Sequence, residues 1–188
     1  MPTAEAPVRE RILDAATRNY YAHGIRAVSA DRLIAEADVS KVTFYRHFPT
    51  KDDLITAYLV QQVELSQDQL IKKRAELADD PGGMLRWYAE GVGAFTQTAG
   101  YRGCPFINAA AELSQPDHPG HLVVQDHRAW LVGQFAELLA SLGVEDVEAK
   151  AEQLMMLRDG ALVAGYVGGS TDAVADTLIA AGRAVIGC

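Results

Sequence analysis

The stretch SADRLIAEADVSKVTFYRHFPTKDDL, residues 29–54, predicts two short helices joined by a tight turn and followed directly by a third helix. Each helix is expected to begin at an N-cap, because the side chains of Ser29, Ser40 and Thr50 can accept hydrogen bonds from backbone N–H groups that a first helical turn leaves unpaired. Asp38 lies in the turn between the first two helices. Caps this close together are typical of a helix-turn-helix unit.

The second of these helices has two different faces. At about 100° per residue, Phe44 and Phe48 fall on one side and are expected to be buried, whereas Val42, Thr43 and Arg46 fall on the other. Small apolar or hydroxyl side chains with one arginine suit contact with base edges in a major groove. The same faces also suit an amphipathic hairpin whose polar side is merely solvated, so the pattern by itself leaves both interpretations open.

At these residues the chain resembles the tetracycline-repressor (TetR/AcrR-type) family of bacterial transcription regulators. The resemblance begins with RERILDAATRNYYAHG at residues 9–24 and continues with VSKVTFYRHFPTKDDL at residues 39–54. The second segment carries the family spacing T-x-Y-x-H-F-x-x-K-x-x-L. The resemblance implies a ligand-responsive transcriptional regulator, most often a homodimeric repressor that a small molecule releases from a palindromic operator.

The resemblance also assigns roles to individual residues of the second and third helices. Four positions match family residues that contact DNA, mostly at phosphates: Thr43, Tyr45, His47 and Lys51. Three further positions vary in the family and tend to set sequence preference: Lys41, Val42 and Arg46. Ser40, which begins the recognition helix, completes the candidate DNA-binding set.

Two positions depart from the family pattern. Asp38 occupies a turn position that is usually glycine, and Ile34 stands where alanine is common. Because aspartate tolerates a left-handed backbone better than most residues, we expect the turn to form.

The charge distribution is consistent with a DNA-binding head on an acidic body. The chain carries a net charge of −8, which by itself disfavours a nucleic-acid-binding protein. Residues 1–60, however, hold eight Lys and Arg against eight Asp and Glu, so the whole net negative charge lies beyond residue 60. Phosphate should repel such a body, and binding is expected only through the face that the neutral head presents.

Beyond the head, the sequence predicts only helices. The whole chain is therefore expected to have an all-α fold with about nine helices. We assign residues 1–50 to a helix-turn-helix DNA-binding domain and residues 51–188 to a helical ligand-binding and dimerisation domain. The body helices are expected at about Lys51–Ala78, Gly83–Thr98, from Pro105 to before Pro116, His118–Leu142, Val144–Val167 and Thr171–Ile186.

The last two predicted helices carry the features of a subunit interface. Gly160, Ala164 and Gly168 form a row of small residues beside Leu162 and Tyr166, and small residues let helices approach closely. The pattern fits internal packing equally well. The family resemblance favours the interface, because regulators of this type form homodimers through their last two helices.

The body also contains residues suited to a ligand pocket. Aromatic and thioether side chains combined with a few polar groups are typical of such pockets, although cores have a similar composition. Asn108, Glu112 and Arg158 are possible polar anchors. The candidate ligand-binding residues for an unknown small-molecule effector are Trp87, Phe95, Phe106, Asn108, Trp130 and Met156.

Two other classes of protein are considered. A metal-binding enzyme using His118 and His121 is disfavoured, because His121 and His127 differ by about 240° around a helix and the common catalytic motifs are absent. A helical dimer that binds protein instead of DNA stays open. We expect no cofactor, and Cys104 is expected to be a small buried residue in preference to a redox sensor.

The expected location is the cytoplasm. The chain shows no basic and apolar N-terminal signal, and its apolar runs are too short to cross a bilayer.

Overall fold

The computed structural model describes residues 7–168 and 173–187, which contain nine α-helices and no β-strand. This confirms the all-α prediction. The helices are α1 (Val8–His23), α2 (Ala30–Ala37), α3 (Lys41–His47), α4 (Lys51–Glu76), α5 (Pro81–Thr96), α6 (Pro105–Glu112), α7 (Pro119–Ser141), α8 (Val147–Val167) and α9 (Val174–Ile186).

The chain packs into two compact units. The first holds the residues up to 65 together with 105–125, and the second holds 66–104 with the residues from 126 onward. The long helices α4 and α7 therefore each contribute residues to both units. None of the helices in the described ranges is long and apolar enough to cross a membrane.

The first unit is built around α1, which packs against α2. Ile12, Ala16 and Leu33 are almost fully buried between these helices and their neighbours. Glu36 on α2 accepts hydrogen bonds from Arg18 and Asn19 on α1. Burial works against ionisation of Glu36, but these hydrogen bonds and the charge of Arg18 lower its pKa overall, so an ionised clamp holds α1 to α2.

The second unit has its own apolar core. Leu131, Phe135 and Leu139 of α7 meet Met84 of α5 and Met155 of α8 in one buried cluster. Both tryptophans, Trp87 and Trp130, are partly buried against this cluster.

The structure corrects several predicted helix boundaries. Pro81 begins α5, although the sequence analysis placed it in a loop, because Asp80 caps the helix by accepting from Gly83 N at 2.7 Å and a first-turn proline needs no N–H partner. Helix α8 begins at Val147 and not at Val144, since Asp146 has a positive φ angle of 55° that interrupts the predicted helix. Helix α9 begins at Val174, and the predicted start at Thr171 lies outside the described residues.

Candidate DNA-binding surface and ligand cavity

The turn between α2 and α3 has the geometry that the sequence predicted. Ser29 caps α2 by accepting from Arg32 N, and Asp38 ends it in the left-handed region at φ 52° and ψ 56°. The Arg11 guanidinium donates a hydrogen bond of 3.3 Å to the carbonyl oxygen of Asp38. Sequence reasoning missed this support, because Arg11 lies 27 residues away on α1.

Helix α3 buries the predicted side. Phe44 and Phe48 are 1% and 3% exposed, and Ser40 caps the helix by accepting from Thr43 N at 3.1 Å. The Ser40 and Thr43 hydroxyls also lie within hydrogen-bond distance of each other, at 2.8 Å. The first turn of α3 is therefore fixed before any partner arrives.

The opposite side of α3 is open to solvent. Val42 is 75% exposed, and Arg46 and His47 are exposed with no ion pair to any described residue. Tyr45 is exposed beside the buried Phe44 ring, with 5.3 Å between ring centroids. Lys41 lies 3.5 Å from Asp31, a solvent-exposed pair that contributes little stability.

Lys51 is held more firmly than the sequence suggested. Thr50 caps α4 as predicted by accepting from Asp53 N, and the Asp53 carboxylate in turn accepts from Thr50 N. The Lys51 ammonium donates a 2.7 Å hydrogen bond to the carbonyl oxygen of Ile25. Burial lowers the pKa of Lys51, although Glu112 and Asp52 act in the opposite direction. The loop after α1 thus positions this lysine.

Glu112 of α6 fastens the same loop from the other side. Its carboxylate accepts hydrogen bonds from Ile25 N at 3.0 Å and from Arg26 N at 2.7 Å. Gly24 has φ +87°, and a Cβ there would lie 2.9 Å from a Glu112 oxygen. Glu112 therefore orders the backbone that binds Lys51, and its role as a polar anchor for a ligand stays a prediction.

His118 and His121, which were considered above for a metal site, each contact other groups of the protein. His118 lies 3.4 Å from Asp52 and accepts from Gly120 N, while His121 Nδ1 is 2.9 Å from the carbonyl oxygen of Leu113. The described residues contain no group of three side chains that could hold a metal ion.

A cavity of about 410 Å³ lies in the second unit. Helices α5, α7, α8 and α9 all contribute to its wall. It is lined by Gly82, Leu85, Arg86, Tyr88, Ala89, Phe135, Leu142, Leu154, Arg158, Leu178, Ile179, Gly182, Arg183 and Ile186.

None of the six candidate ligand-binding residues lies on this wall. Asn108 lines a very small pocket in the first unit, and Phe106 is buried there. Trp87 and Trp130 pack on the apolar core, Phe95 stacks edge-on against Tyr101, and Met156 is 63% exposed. Phe106 and Asn108 belong to the first unit and the other four residues to the second, and the role of all six in ligand binding stays a prediction.

Arg158 is the most constrained charged residue of the cavity. Its Nη1 donates to Asp159 at 2.8 Å, its Nε to the Tyr88 hydroxyl at 3.3 Å, and its Nη2 to Cys104 Sγ at 3.6 Å. Arg128 also donates to the Asp159 carboxylate. Burial opposes the charged form of Arg158, but Tyr88 and Asp159 raise its pKa overall, so the guanidinium keeps its charge.

The pKa of His127 is affected by burial and by the charge of Arg158. His127 is 4% exposed and stacks on Trp130 with 5.9 Å between ring centroids. Burial, together with the positive charge of Arg158, lowers the pKa of His127 to about 4. The folded protein therefore keeps this imidazole neutral at mildly acidic pH.

A pH-dependent stability follows from the lowered pKa of His127. An unfolded chain protonates this imidazole near pH 6.5, so its contribution to stability is complete above that pH and is lost as the pH falls toward 4. His127→Gln should reduce the difference in unfolding free energy between pH 7 and pH 4.5 by about 2 to 3 kcal/mol. Urea unfolding of both proteins at the two pH values measures this. If the unfolding free energy changed equally with pH in the wild-type protein and in His127→Gln, the prediction would be contradicted.

The exposed side of α8 and α9 carries the predicted row of small residues. Gly160, Ala164 and Gly168 are exposed, and Tyr166 is 51% exposed. Leu162 instead faces the core of its own chain and is 2% exposed. A shallow apolar groove continues this surface onto α9 and is lined by Met156, Leu157, Gly160, Ala161, Ala164, Ala173, Val174, Thr177, Leu178 and Ala181.

Similarity to known proteins agrees with this geometry. The family of bacterial regulatory proteins described as tetR family matches residues 12–58, which include α2 and α3. YjdC, an HTH-type transcriptional regulator of Escherichia coli K12, is 25% identical over 82% of this chain and 81% of its own length. LmrA, an HTH-type transcriptional regulator of Bacillus subtilis, is 27% identical over 76% of each chain.

A solved structure extends the similarity over nearly the whole chain. The crystal structure of SCO4454, a TetR-family transcriptional regulator from Streptomyces coelicolor, has a TM-score of 0.89 and 40% sequence identity, covering 95% of this chain and 94% of that one. These relatives are transcriptional regulators, which removes the metal-enzyme alternative. With the matched helix-turn-helix and this full-length relative, the chain belongs to the TetR family of transcriptional regulators.

Proposed function

We propose that this regulator is a homodimeric repressor that binds a palindromic operator and releases it when a small molecule enters the second unit. The observation that carries the proposal is the division of α3 into a buried side at Phe44 and an exposed side at Val42 and Arg46. A rigid helix with such a side can present it to base edges. Such a regulator would act in the bacterial cytoplasm, where the chromosome lies.

The proposal gives each DNA contact a role. Residues 1–50 form the DNA-binding domain, and residues 51–188 bind the effector and the second subunit. Base edges are contacted by Lys41, Val42 and Arg46, while phosphates are contacted by Ser40, Thr43, Tyr45, His47 and Lys51. The cap hydrogen bonds at Ser40 and Thr50 support these assignments, because they fix the helix ends that carry the DNA-contacting residues.

A homodimer through α8 and α9 is supported by the exposed apolar surface on these helices. Val163 and Val167 are exposed on α8 beside the row of small residues. A contiguous apolar surface of this kind is unusual on a monomer. A two-fold dimer would place two recognition helices on successive major grooves about 34 to 36 Å apart.

Release by an effector requires only a shift in population. A ligand that prefers a body conformation in which the two α3 helices no longer match the groove spacing weakens operator binding. A coupling of about 1 to 3 kcal/mol changes the affinity about 5- to 150-fold.

Selection of bound fragments from the source genome tests the proposal directly. We expect a common sequence with two-fold symmetry, bound by one dimer, and competition by unrelated DNA only at much higher concentration. Recovery of fragments without a shared palindrome would contradict site-specific binding.

Lys51 tests the phosphate contacts separately. Lys51→Ala should weaken binding to operator and random DNA alike and reduce the slope of log K against log salt concentration by about one. Fluorescence anisotropy at several salt concentrations measures the slope. Because the Lys51 side chain also holds the loop at Ile25, helicity and thermal unfolding serve as the folding control. An unchanged slope in a folded variant would contradict a phosphate contact at Lys51.

A further inference from the structure

The charged residues of the 410 Å³ cavity all have the same sign. Arg86, Arg158 and Arg183 lie on its wall, and no aspartate or glutamate is among the described residues that line it. The rest of the wall is almost wholly apolar. It includes five leucine or isoleucine side chains on α8, on α9 and just after α7 (Leu142, Leu154, Leu178, Ile179 and Ile186). A ligand that fits this wall needs both a hydrocarbon body and a negative charge.

Two arginines beside the cavity share a single carboxylate. Arg128 and Arg158 both donate to the single carboxylate of Asp159. Two guanidinium groups on one carboxylate leave a surplus of one charge, and Arg158 is the member of the pair that reaches the cavity wall. The Arg128 side chain is 40% exposed and the Arg158 side chain is 12% exposed, so water screens the charge of Arg128 far better than that of Arg158. A ligand anion would therefore stabilise mainly the charge of Arg158.

The hydrogen bonds of Arg158 leave capacity for such an anion. A guanidinium has five N–H donors, and its partners here are Asp159, the Tyr88 hydroxyl and the Cys104 sulfur. Sulfur is a weak acceptor, so an oxyanion would be a much better partner for Nη2. A carboxylate matches the planar guanidinium with two parallel hydrogen bonds.

Tyr88 supplies a second donor at the same place. Its hydroxyl oxygen accepts from Arg158 Nε, and the described structure shows that oxygen in no hydrogen bond as a donor. Burial raises the pKa of Tyr88, so the hydroxyl keeps its proton at neutral pH. That proton is available to a ligand oxygen that also contacts Arg158.

We propose that this cavity binds an amphipathic monocarboxylate, with the carboxylate on Arg158 and Tyr88 and the hydrocarbon chain along the leucine and isoleucine wall of α8 and α9. The proposal rests on the proposed function, since it names the chemical class of the effector. A volume of about 410 Å³ falls in the range of about 300 to 1,000 Å³ that single small molecules occupy. Arg86 and Arg183 are exposed members of the wall, whereas the Arg158 side chain is 12% exposed, so Arg158 is the least hydrated of the three charges.

Calorimetry with a matched set of ten-carbon compounds tests the chemistry. Decanoate should bind with one site per chain, and about 10- to 100-fold more tightly than decanol, because decanol keeps the chain but loses the charge-assisted hydrogen bonds. Decylamine should bind more weakly than decanol, because its charge has the sign of the three arginines. All compounds are kept below the concentration at which they form micelles.

Two substitutions locate the carboxylate. Arg158→Gln should remove most of the preference for decanoate over decanol, and Tyr88→Phe, which removes only the hydroxyl, should reduce it about 5-fold or more. Arg74→Gln is the matched control, since Arg74 lies in the same unit, pairs with Glu137 and is not part of the wall. Near-ultraviolet circular dichroism of the two tryptophans checks folding, and Tyr88→Phe keeps the test valid if Arg158→Gln unfolds.

Equal binding of decanoate and decanol, or an unchanged preference in both variants, would overturn the proposal. Binding of none of the acids from six to fourteen carbons would also overturn it. Operator affinity is measured on the same proteins without ligand. Intact operator binding with no acid bound rejects only the ligand class, whereas a bound acid with no operator binding leaves the cavity assignment standing and rejects the proposed function.

Discussion

Replacing Ala164 with glutamate is expected to abolish operator binding while each chain stays folded. Ala164 lies on the exposed side of α8, in the middle of the apolar groove, and nothing lies within 4 Å of a Cβ built at Gly160 one turn earlier. The single chain therefore has room for the new side chain. In a dimer packed through α8 and α9, the same carboxylate would be buried without a partner at a close helix crossing.

Burying an unpaired carboxylate costs several kcal/mol, so the dimer should dissociate instead. Each half-site by itself binds weakly, and operator binding is lost although the substitution is far from α3 in the sequence. Sedimentation velocity measures the change from dimer to monomer, and gel-shift titration measures the loss of binding.

Ala75→Glu is the matched control for Ala164→Glu. Ala75 is also an exposed alanine on a long helix, and it lies outside the groove. It should leave both the dimer and the operator affinity unchanged. A folded Ala164→Glu protein that remains a dimer with normal affinity would reject the interface, and loss of helicity in this variant would contradict the expectation that each chain stays folded.

The helix-turn-helix could be predicted from sequence because its determinants are local. Ser29 and Ser40 each bond to a backbone N–H three residues away, and the Phe44–Phe48 spacing defines the buried side without reference to any other helix. The left-handed turn at Asp38 was predictable for the same reason, since the preference belongs to the residue type.

The cavity and the hydrogen bonds of Glu112 to the loop after α1 depend on contacts between residues distant in sequence. Glu112 bonds to backbone atoms 86 and 87 residues away, and the cavity joins Gly82 to Ile186. No local period specifies which side of α9 faces inward. The side that carries Leu178, Gly182 and Ile186 lines the cavity, whereas the sequence pattern of the last two helices fitted a subunit interface and internal packing equally well.

Replacing Arg46 with alanine is expected to cost operator affinity selectively. Arg46 is exposed on the side of α3 opposite Phe44, and its guanidinium has no ion pair among the described residues that would have to break first. An arginine that contacts the O6 and N7 atoms of a guanine contributes about 1 to 3 kcal/mol of discrimination. A two-fold operator uses this contact twice, so the dimer should lose about 2 to 6 kcal/mol, given that separate positions add.

Anisotropy titrations of Arg46→Ala on the selected operator and on a scrambled sequence of equal length measure the two losses. The loss should be large on the operator and small on the scrambled DNA. Arg46→Lys is the matched control because it keeps the charge but lacks the two-pronged donor geometry. Lysine should restore scrambled-DNA binding fully and operator binding only in part. Equal losses on both sequences in the alanine variant, with full recovery in the lysine variant, would assign Arg46 to the phosphate backbone and leave the reading of bases to Lys41 and Val42.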